Sequence, residues 1–78
     1  MSASIATAFG RVLRRLRLEA GLTQEGLGLE ADLQRKYISL LELGEKQPTI
    51  TTVFKLASAL KVQPSLIIAL TEVEPENQ

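Results

Sequence analysis

Residues 22–48, LTQEGLGLEADLQRKYISLLELGEKQP, decide the fold of this 78-residue chain. Thr23 predicts the start of a short helix, because its hydroxyl can accept a hydrogen bond from a backbone N–H that the first turn leaves unpaired. Leu27 and Leu29 give that helix apolar side chains, and a tight turn is expected at Ala31-Asp32. The segment therefore opens with one short helix and a turn.

A second short helix is predicted from about residue 34 to residue 43, and Gly44 is expected to end it. Leu33, Ile38 and Leu41 supply its inward stripe. The remaining side chains point outward: Gln34, Arg35, Lys36, Ser39 and Leu40. Two short helices that cross steeply, the second presenting Arg, Lys and Gln near its start, are typical of a helix-turn-helix. The first of these two helices contains Gly26 and Gly28, and we expect Gly28 to permit close helix packing.

The segment from about residue 4 to residue 20 predicts an amphipathic helix that ends at Gly21. Its apolar residues recur at helical spacing: Ile5, Phe9, Val12, Leu13 and Leu16. Its other face carries a cluster of arginines: Arg11, Arg14, Arg15 and Arg17. Two interpretations of that cluster stay open, a solvated face or one in which one or two arginines contact phosphate.

Two more helices are expected after residue 48. Thr49 is the predicted N-cap of the first, whose apolar stripe has i, i+3, i+4, i+7 spacing: Val53, Leu56, Ala57 and Leu60. Pro64 suits the first turn of the last helix, where its missing N–H costs nothing. Residues 71–78 predict an acidic, flexible tail that contains Glu72, Glu74 and Glu76. The chain is thus predicted to be one all-α domain, residues 1–78, with its core at about residues 5–70.

Composition narrows the class of function. The chain lacks cysteine and histidine, which removes disulfides, thiolate sites and the commonest general base and metal ligand. No apolar run approaches the ~18 residues of a membrane span. We expect a cytoplasmic protein that is not an enzyme and has no catalytic residues, metal, cofactor, small-molecule ligand or membrane contact.

Charge is balanced, with nine basic and nine acidic residues. Without the three glutamates of the predicted tail the balance is nine to six, so a basic face remains possible. Affinity for nucleic acid should then be modest and sensitive to salt.

Taken in order and spacing, the residues resemble the lambda-repressor/Cro-like, or XRE, family of DNA-binding domains. The matching set is Leu22-Thr23-Gln24-Glu25, Leu27, Ala31, Leu33, Tyr37-Ile38-Ser39, Glu42-x-Gly44-x-x-x-Pro48-Thr49 and Leu56-Ala57-x-Ala59-Leu60-x-Val62. Arg35 followed by Tyr37-Ile38-Ser39 in a short chain is similar to the controller proteins of restriction–modification systems. The chain departs from the family pattern at Gly26, Asp32 and Gln34. The resemblance implies a compact fold of five helices.

The resemblance also implies which side chains bind DNA. Gln24 would meet a phosphate at a helix N-terminus. The base-reading positions fall on Arg35, Lys36 and Leu40, of which Arg35 could bind guanine O6 and N7 and contribute ~1–3 kcal/mol of discrimination. Tyr37, Ser39 and Lys46 suit phosphates, and Gln34 completes the predicted DNA-binding set. Arg17 and Glu42 match a structural salt bridge between the first and third helices.

The leading hypothesis is a transcriptional regulator that binds a pseudo-palindromic operator as a homodimer. Leu66 and Leu70 are expected to face the core, whereas Ile67 and Ile68 project outward. The predicted dimer interface contains Phe54, Ile67, Ile68 and Leu70, since one small core cannot cover so many apolar side chains.

The alternative hypothesis is an antitoxin or a protein-interaction module that binds a protein partner.

Contact with RNA polymerase would require an acidic patch, for which Glu25, Glu30 and Asp32 are candidates. The sequence leaves open the operator, the regulated genes and the choice between activation and repression.

Overall fold

A computed structural model of the chain describes the backbone of residues 2–75 and the side chains of residues 5–75. Five helices occupy that part of the chain: α1 (Ser2–Glu19), α2 (Gln24–Ala31), α3 (Arg35–Glu42), α4 (Ile50–Leu60) and α5 (Pro64–Val73). Helix α1 packs on α3 and α5, α2 packs on α3 and α4, and α4 packs on α5. The predicted all-α, five-helix architecture is confirmed.

Every helix sends at least one fully buried side chain into a shared core. Leu13, Leu27, Leu41, Leu56 and Ile67 have no exposed surface, and each comes from a different helix. Burying one such side chain stabilises the fold by ~1.5–3 kcal/mol. Helices α2 and α3 have eight residues each, too few to be stable alone in water, so the core holds them in place.

Threonine caps begin two of the helices as the sequence predicts. The Thr23 hydroxyl accepts a hydrogen bond from the Gly26 backbone N–H at 2.9 Å, and Thr49 accepts one from the Thr52 N–H at 3.1 Å. Gln34 occupies the N-cap of α3 without a side-chain cap bond. Asp32 ends α2 in the left-handed region at φ 59°, where aspartate is tolerated better than most residues.

Two glycines allow backbone segments to approach closely. A Cβ on Gly28 would lie 2.5 Å from the carbonyl oxygen of Leu33, so the close packing predicted at this glycine is against the turn between α2 and α3. A Cβ on Gly10 would lie 2.4 Å from the carbonyl oxygen of Leu41. Helix α1 therefore passes directly against the last turn of α3, a contact that the sequence analysis did not foresee.

Helix α5 turns Ile67 rather than Leu66 toward the core. Ile67 is completely buried, whereas Leu66 is 42% and Ile68 50% exposed, and Leu70 packs partly buried against the core. The predictions that Ile67 faces outward in a dimer interface and that Leu66 faces the core are wrong, whereas those for Leu70 facing the core and Ile68 facing outward are correct. The inward side of α5 has i, i+3, i+4, i+7 spacing, and two of its four residues are polar: Ile67, Leu70, Thr71 and Glu74. Because the spacing of apolar residues leaves out the two polar ones, it did not indicate this side.

Helix α5 continues past residue 70, where the sequence predicts the start of the tail, and ends at Val73. Thr71 is buried, and its hydroxyl donates to the Ile67 carbonyl oxygen at 2.8 Å. Glu74 is 8% exposed and accepts a hydrogen bond from Arg15 Nη2 at 3.2 Å. Residues 71–73 thus belong to the last helix, the flexibility of the tail stays a prediction, and Glu76 lies outside the described residues.

No single helix between residues 2 and 75 is both long and apolar enough to cross a membrane. Helices α4 and α5 pass that test only as a pair, by length and composition, with a bend of 106° between them.

Candidate nucleic-acid interface

Helix α3 exposes a continuous face on the side opposite the core. Ile38 and Leu41 are buried, and at ~100° per residue the opposite side falls on Lys36 and Leu43. We call this side the outward face of α3, consisting of Arg35, Lys36, Ser39, Leu40 and Leu43. Arg35 and Lys36 are exposed, Ser39 and Leu40 are half-buried, and Leu43, the C-cap, is 64% exposed. The sequence analysis placed the first four outward but missed Leu43.

A buried ion pair fixes the far end of α3 against α1. Arg17 Nε donates to Glu42 Oε2 at 2.6 Å, and Arg17 Nη2 donates to Glu42 Oε1 at 3.0 Å. Arg17 Nη1 also donates to the carbonyl oxygen of Leu22 at 2.9 Å. The expected ion pair is thus present in two-pronged geometry, and it also binds the loop before α2.

Electrostatics favour the charged form of Arg17. The hydrogen bond to Glu42 raises the pKa of Arg17 above its ordinary value, and the Glu42 charge adds to that effect against the opposing effect of burial. The guanidinium therefore stays protonated. Within the described part of the chain, no buried side-chain nitrogen or oxygen lacks a hydrogen-bond partner.

Gln24 joins the same cluster from the start of α2. Its Nε2 donates to Glu42 Oε1 at 3.1 Å, so one carboxylate receives hydrogen bonds from two helices. The first backbone N–H groups of a helix have no partner inside it and carry partial positive charge. A phosphate contact at Gln24 would therefore use those N–H groups together with the remaining N–H of the side-chain amide.

Tyr37 lies between α3 and α4. It is half-buried, and its hydroxyl shares a 3.4 Å hydrogen bond with the Thr52 hydroxyl, in which either group can donate. The Thr49 hydroxyl donates to the same Thr52 Oγ1 at 3.1 Å. Tyr37 thus connects the middle of α3 to the first turn of α4, and its predicted phosphate contact stays a prediction. Lys46 is exposed in the loop between the two helices.

The exposed arginines of α1 do not join the outward face of α3. Arg11, Arg14 and Arg15 line a shallow groove with Leu18, Glu19 and Glu74, and no residue of α3 contributes to it. Arg15 is partly neutralised there by Glu74. Arg17 joins the helix-turn-helix by pairing with Glu42.

A second surface, between α4 and α5, is apolar. We call it the α4–α5 groove, and its lining includes Ile50, Val53, Phe54, Ile68 and Ala69. Ile50 is 69%, Phe54 58% and Ile68 50% exposed. The structure therefore brings the predicted interface residues Phe54 and Ile68 together, whereas Leu70 packs partly buried against the core.

Ile50 belongs to the groove and was missed by the sequence analysis. It precedes the inward stripe of α4, but its i, i+4 spacing to Phe54 was a signal for a second apolar face.

Comparison with known proteins gives concordant matches. A helix-turn-helix family, HTH_3, matches residues 13–67, more than half of the chain. The control protein C.BamHI of Bacillus amyloliquefaciens is 35% identical over 74 residues, which cover 94% of this chain and 91% of that protein. The HTH-type transcriptional regulator y4dJ of Sinorhizobium fredii is 38% identical over 66 residues, 85% of this chain and 86% of the regulator.

A solved structure agrees with these sequence matches. The restriction-modification controller protein C.AhdI from Aeromonas hydrophila superimposes with a TM-score of 0.78 at 35% sequence identity. The superposition covers 80% of this chain and 94% of C.AhdI.

Proposed function

The chain belongs to the HTH_3 helix-turn-helix family of DNA-binding regulators, and from that premise we propose that it controls transcription by binding a pseudo-palindromic operator as a homodimer. The resemblance to restriction–modification controller proteins is confirmed. One observation carries the proposal most directly: α3 exposes Arg35 and Lys36 on its first turn while Glu42 holds its last turn.

Sequence reading is assigned to the outward face of α3. In helix-turn-helix proteins the N-terminal residues of the second helix contact base edges in the major groove. Arg35 offers two N–H donors to guanine O6 and N7, and Lys36 offers one ammonium to guanine or to phosphate. Lys46 is assigned to phosphate, where a contact sets position without reading sequence.

The α4–α5 groove is assigned to a second copy of the chain. Among the described residues that line it, Glu72 alone is charged, so it suits an apolar surface better than DNA. Fully burying an Ile or Phe side chain gains ~1.5–3 kcal/mol, and a two-fold axis would bury Phe54 and Ile68 of both copies. Two recognition helices would then meet half-sites about one helical turn, ~34 Å, apart.

Selection from a randomised duplex library tests the proposal. We expect the protein to enrich inverted repeats whose half-sites lie about one helical turn apart, with an affinity that falls as salt rises. Arg35→Ala/Lys36→Ala should abolish enrichment. The matched control Arg14→Ala/Lys61→Ala, which removes two exposed cations outside α3, should retain it.

Two outcomes would contradict the proposal. Equal binding of all duplexes by the wild-type protein would show that it does not bind a specific DNA sequence. No binding to any duplex, combined with tight capture of a protein partner, would favour the antitoxin hypothesis instead. Footprinting on DNA upstream of the protein's own gene would then connect an enriched repeat to a natural operator.

A further inference from the structure

Two leucines lie on the outward face of α3 beside its basic side chains. Leu43 is 64% exposed and Leu40 half-buried, and their i, i+3 spacing puts them side by side along the helix. Leu43 has αR backbone geometry, so the helical face continues through it. Neither leucine is among the buried hydrophobic residues of the core.

The charges around this pair restrict what can cover it. Arg35 and Lys36 lie on the same face, and the next loop adds one exposed anion, Glu45, beside the exposed cation Lys46. The carboxylate of α3, Glu42, is turned away and paired with Arg17, with only 4% of its side chain exposed. A fitting partner is therefore anionic but presents small apolar groups between its charges.

The major groove of DNA has both properties. Its walls carry phosphates, and on its floor the only apolar group is the C5-methyl of thymine, which leucine-like side chains can contact. Leucine offers no hydrogen bond, so it cannot distinguish bases by their donors and acceptors.

We propose that Leu40 and Leu43 form an apolar strip that reads pyrimidine C5-methyl groups, so that this chain selects thymine at one or two positions of each half-site. The inference rests on the proposed function and extends it to a specific chemical group of the ligand. A protein partner at this strip is the competing occupant, and the three cations around the strip favour DNA. The same strip would accept 5-methylcytosine, because that base carries its methyl group at the same carbon.

Deoxyuridine substitution isolates the methyl group. The probes are duplexes enriched from a randomised library by the wild-type protein, each with one thymine replaced by deoxyuridine, which keeps base pairing and the O4 acceptor. Burying one methyl is worth about 0.8 kcal/mol, or about fourfold in affinity. We expect a loss of about fourfold at one or two positions per half-site and no change elsewhere.

Variants assign the effect to the two leucines. Leu43→Ala, and separately Leu40→Ala/Leu43→Ala, should bind the thymine and deoxyuridine duplexes equally well at those positions. Leu29→Ala is the matched control, because Leu29 is 79% exposed on α2 and lies outside the strip; it should keep the full deoxyuridine effect. Because Leu43 is mostly exposed, its single variant should fold even if the double variant does not.

The outcomes separate this inference from the proposed function. If the wild-type protein enriches repeats but tolerates deoxyuridine at every position, the methyl readout is wrong and the proposed function stands. If Leu43→Ala and the double variant keep the wild-type deoxyuridine effect, other side chains contact the methyl groups and the inference is equally overturned. If no duplex is enriched at all, the proposed function itself fails.

Discussion

Arg17 connects three segments of the chain through one guanidinium group. It donates to Glu42 at the end of α3 and to the Leu22 carbonyl oxygen in the loop before α2, while its own backbone belongs to α1. Its side chain is 9% exposed and that of Glu42 4%. Removing either partner would leave the other charge buried without compensation, which is costly in a low-dielectric interior.

The first prediction concerns this pair. Arg17→Ala and Glu42→Ala should each lower the free energy of unfolding by ~3–5 kcal/mol, and the double variant should lose much less than the sum. Urea denaturation of the four proteins gives the coupling energy. Arg15→Ala is the control: its side chain is 46% exposed in its bond to Glu74, so it should cost ~1 kcal/mol or less. Additive losses at Arg17 and Glu42 would mean that the pair is not coupled.

The second prediction separates the roles proposed for Arg35 and Lys46 in binding DNA. Arg35→Ala should reduce the preference for the selected operator over single-base variants, because Arg35 lies on the outward face of α3. Lys46→Ala should weaken binding to all duplexes alike and lower the slope of log affinity against log salt by ~1. Titrations at four salt concentrations measure both effects. An unchanged operator preference in Arg35→Ala would mean that Arg35 does not read bases.

Individual side chains were predictable to different degrees. The sequence placed Arg35 and Lys36 outward because periodicity alone determines which side of a helix is apolar. Arg17 and Glu42 are 25 residues apart, and only the family resemblance linked them. Gly10 could not be predicted, because its role depends on which backbone comes near it in the folded chain.

At the scale of elements, hydrophobic periodicity predicted the number of helices and most of their ends. Helix α5 shows where that method fails, since periodicity arguments count apolar residues alone. Thr71 satisfies its hydroxyl on the Ile67 carbonyl oxygen and Glu74 pairs with Arg15. Two polar residues can thus face inward. The consecutive apolar residues around Ile67 point to several sides of the helix, so they did not indicate which side faces the core.

The third prediction tests close packing between elements. Gly28→Ala should destabilise the protein by ~1–3 kcal/mol, because its Cβ would press on the Leu33 carbonyl oxygen, which cannot move freely. Gly26→Ala in the same helix is the matched control. Its Cβ would meet the Thr23 hydroxyl at 3.2 Å and Leu22 Cδ2 at 3.7 Å, both of them side-chain atoms. The gain in helix propensity offsets these contacts, so the net change should stay under ~1 kcal/mol. Thermal and urea unfolding compare them, and equal effects would contradict the packing role of Gly28.

At the scale of the whole molecule, the apolar groove and the basic end of α3 lie on different elements. Ile50, Phe54 and Ile68 remain exposed although the core is complete without them. Exposed apolar surface of this kind is what the proposed dimer interface requires. The sequence predicted more apolar side chains than one core can bury, but it did not indicate which of them the core would bury.

The fourth prediction concerns assembly. Phe54→Asp/Ile68→Asp should give a folded monomer whose operator affinity is greatly reduced, as followed by sedimentation velocity and binding titration. Lys61→Asp is the control, because Lys61 is exposed at the end of α4 outside the groove and aspartate tolerates its left-handed backbone. Ile67→Asp should instead unfold the protein. A folded groove variant that remains dimeric would place the interface elsewhere.

The contacts that hold the last turn of α3 have a consequence for the thermodynamics of DNA binding. Helix α3 has eight residues, and its last turn is held by the Glu42 ion pair and by the close approach of Gly10 of α1. Ile38 and Leu41 on its inner side are completely buried, so the amides there should exchange with deuterium only through global unfolding. The protein would then meet DNA with its proposed reading helix already formed. Calorimetry at several temperatures should accordingly find a heat-capacity change that surface burial alone explains, without the larger negative value that accompanies folding on binding.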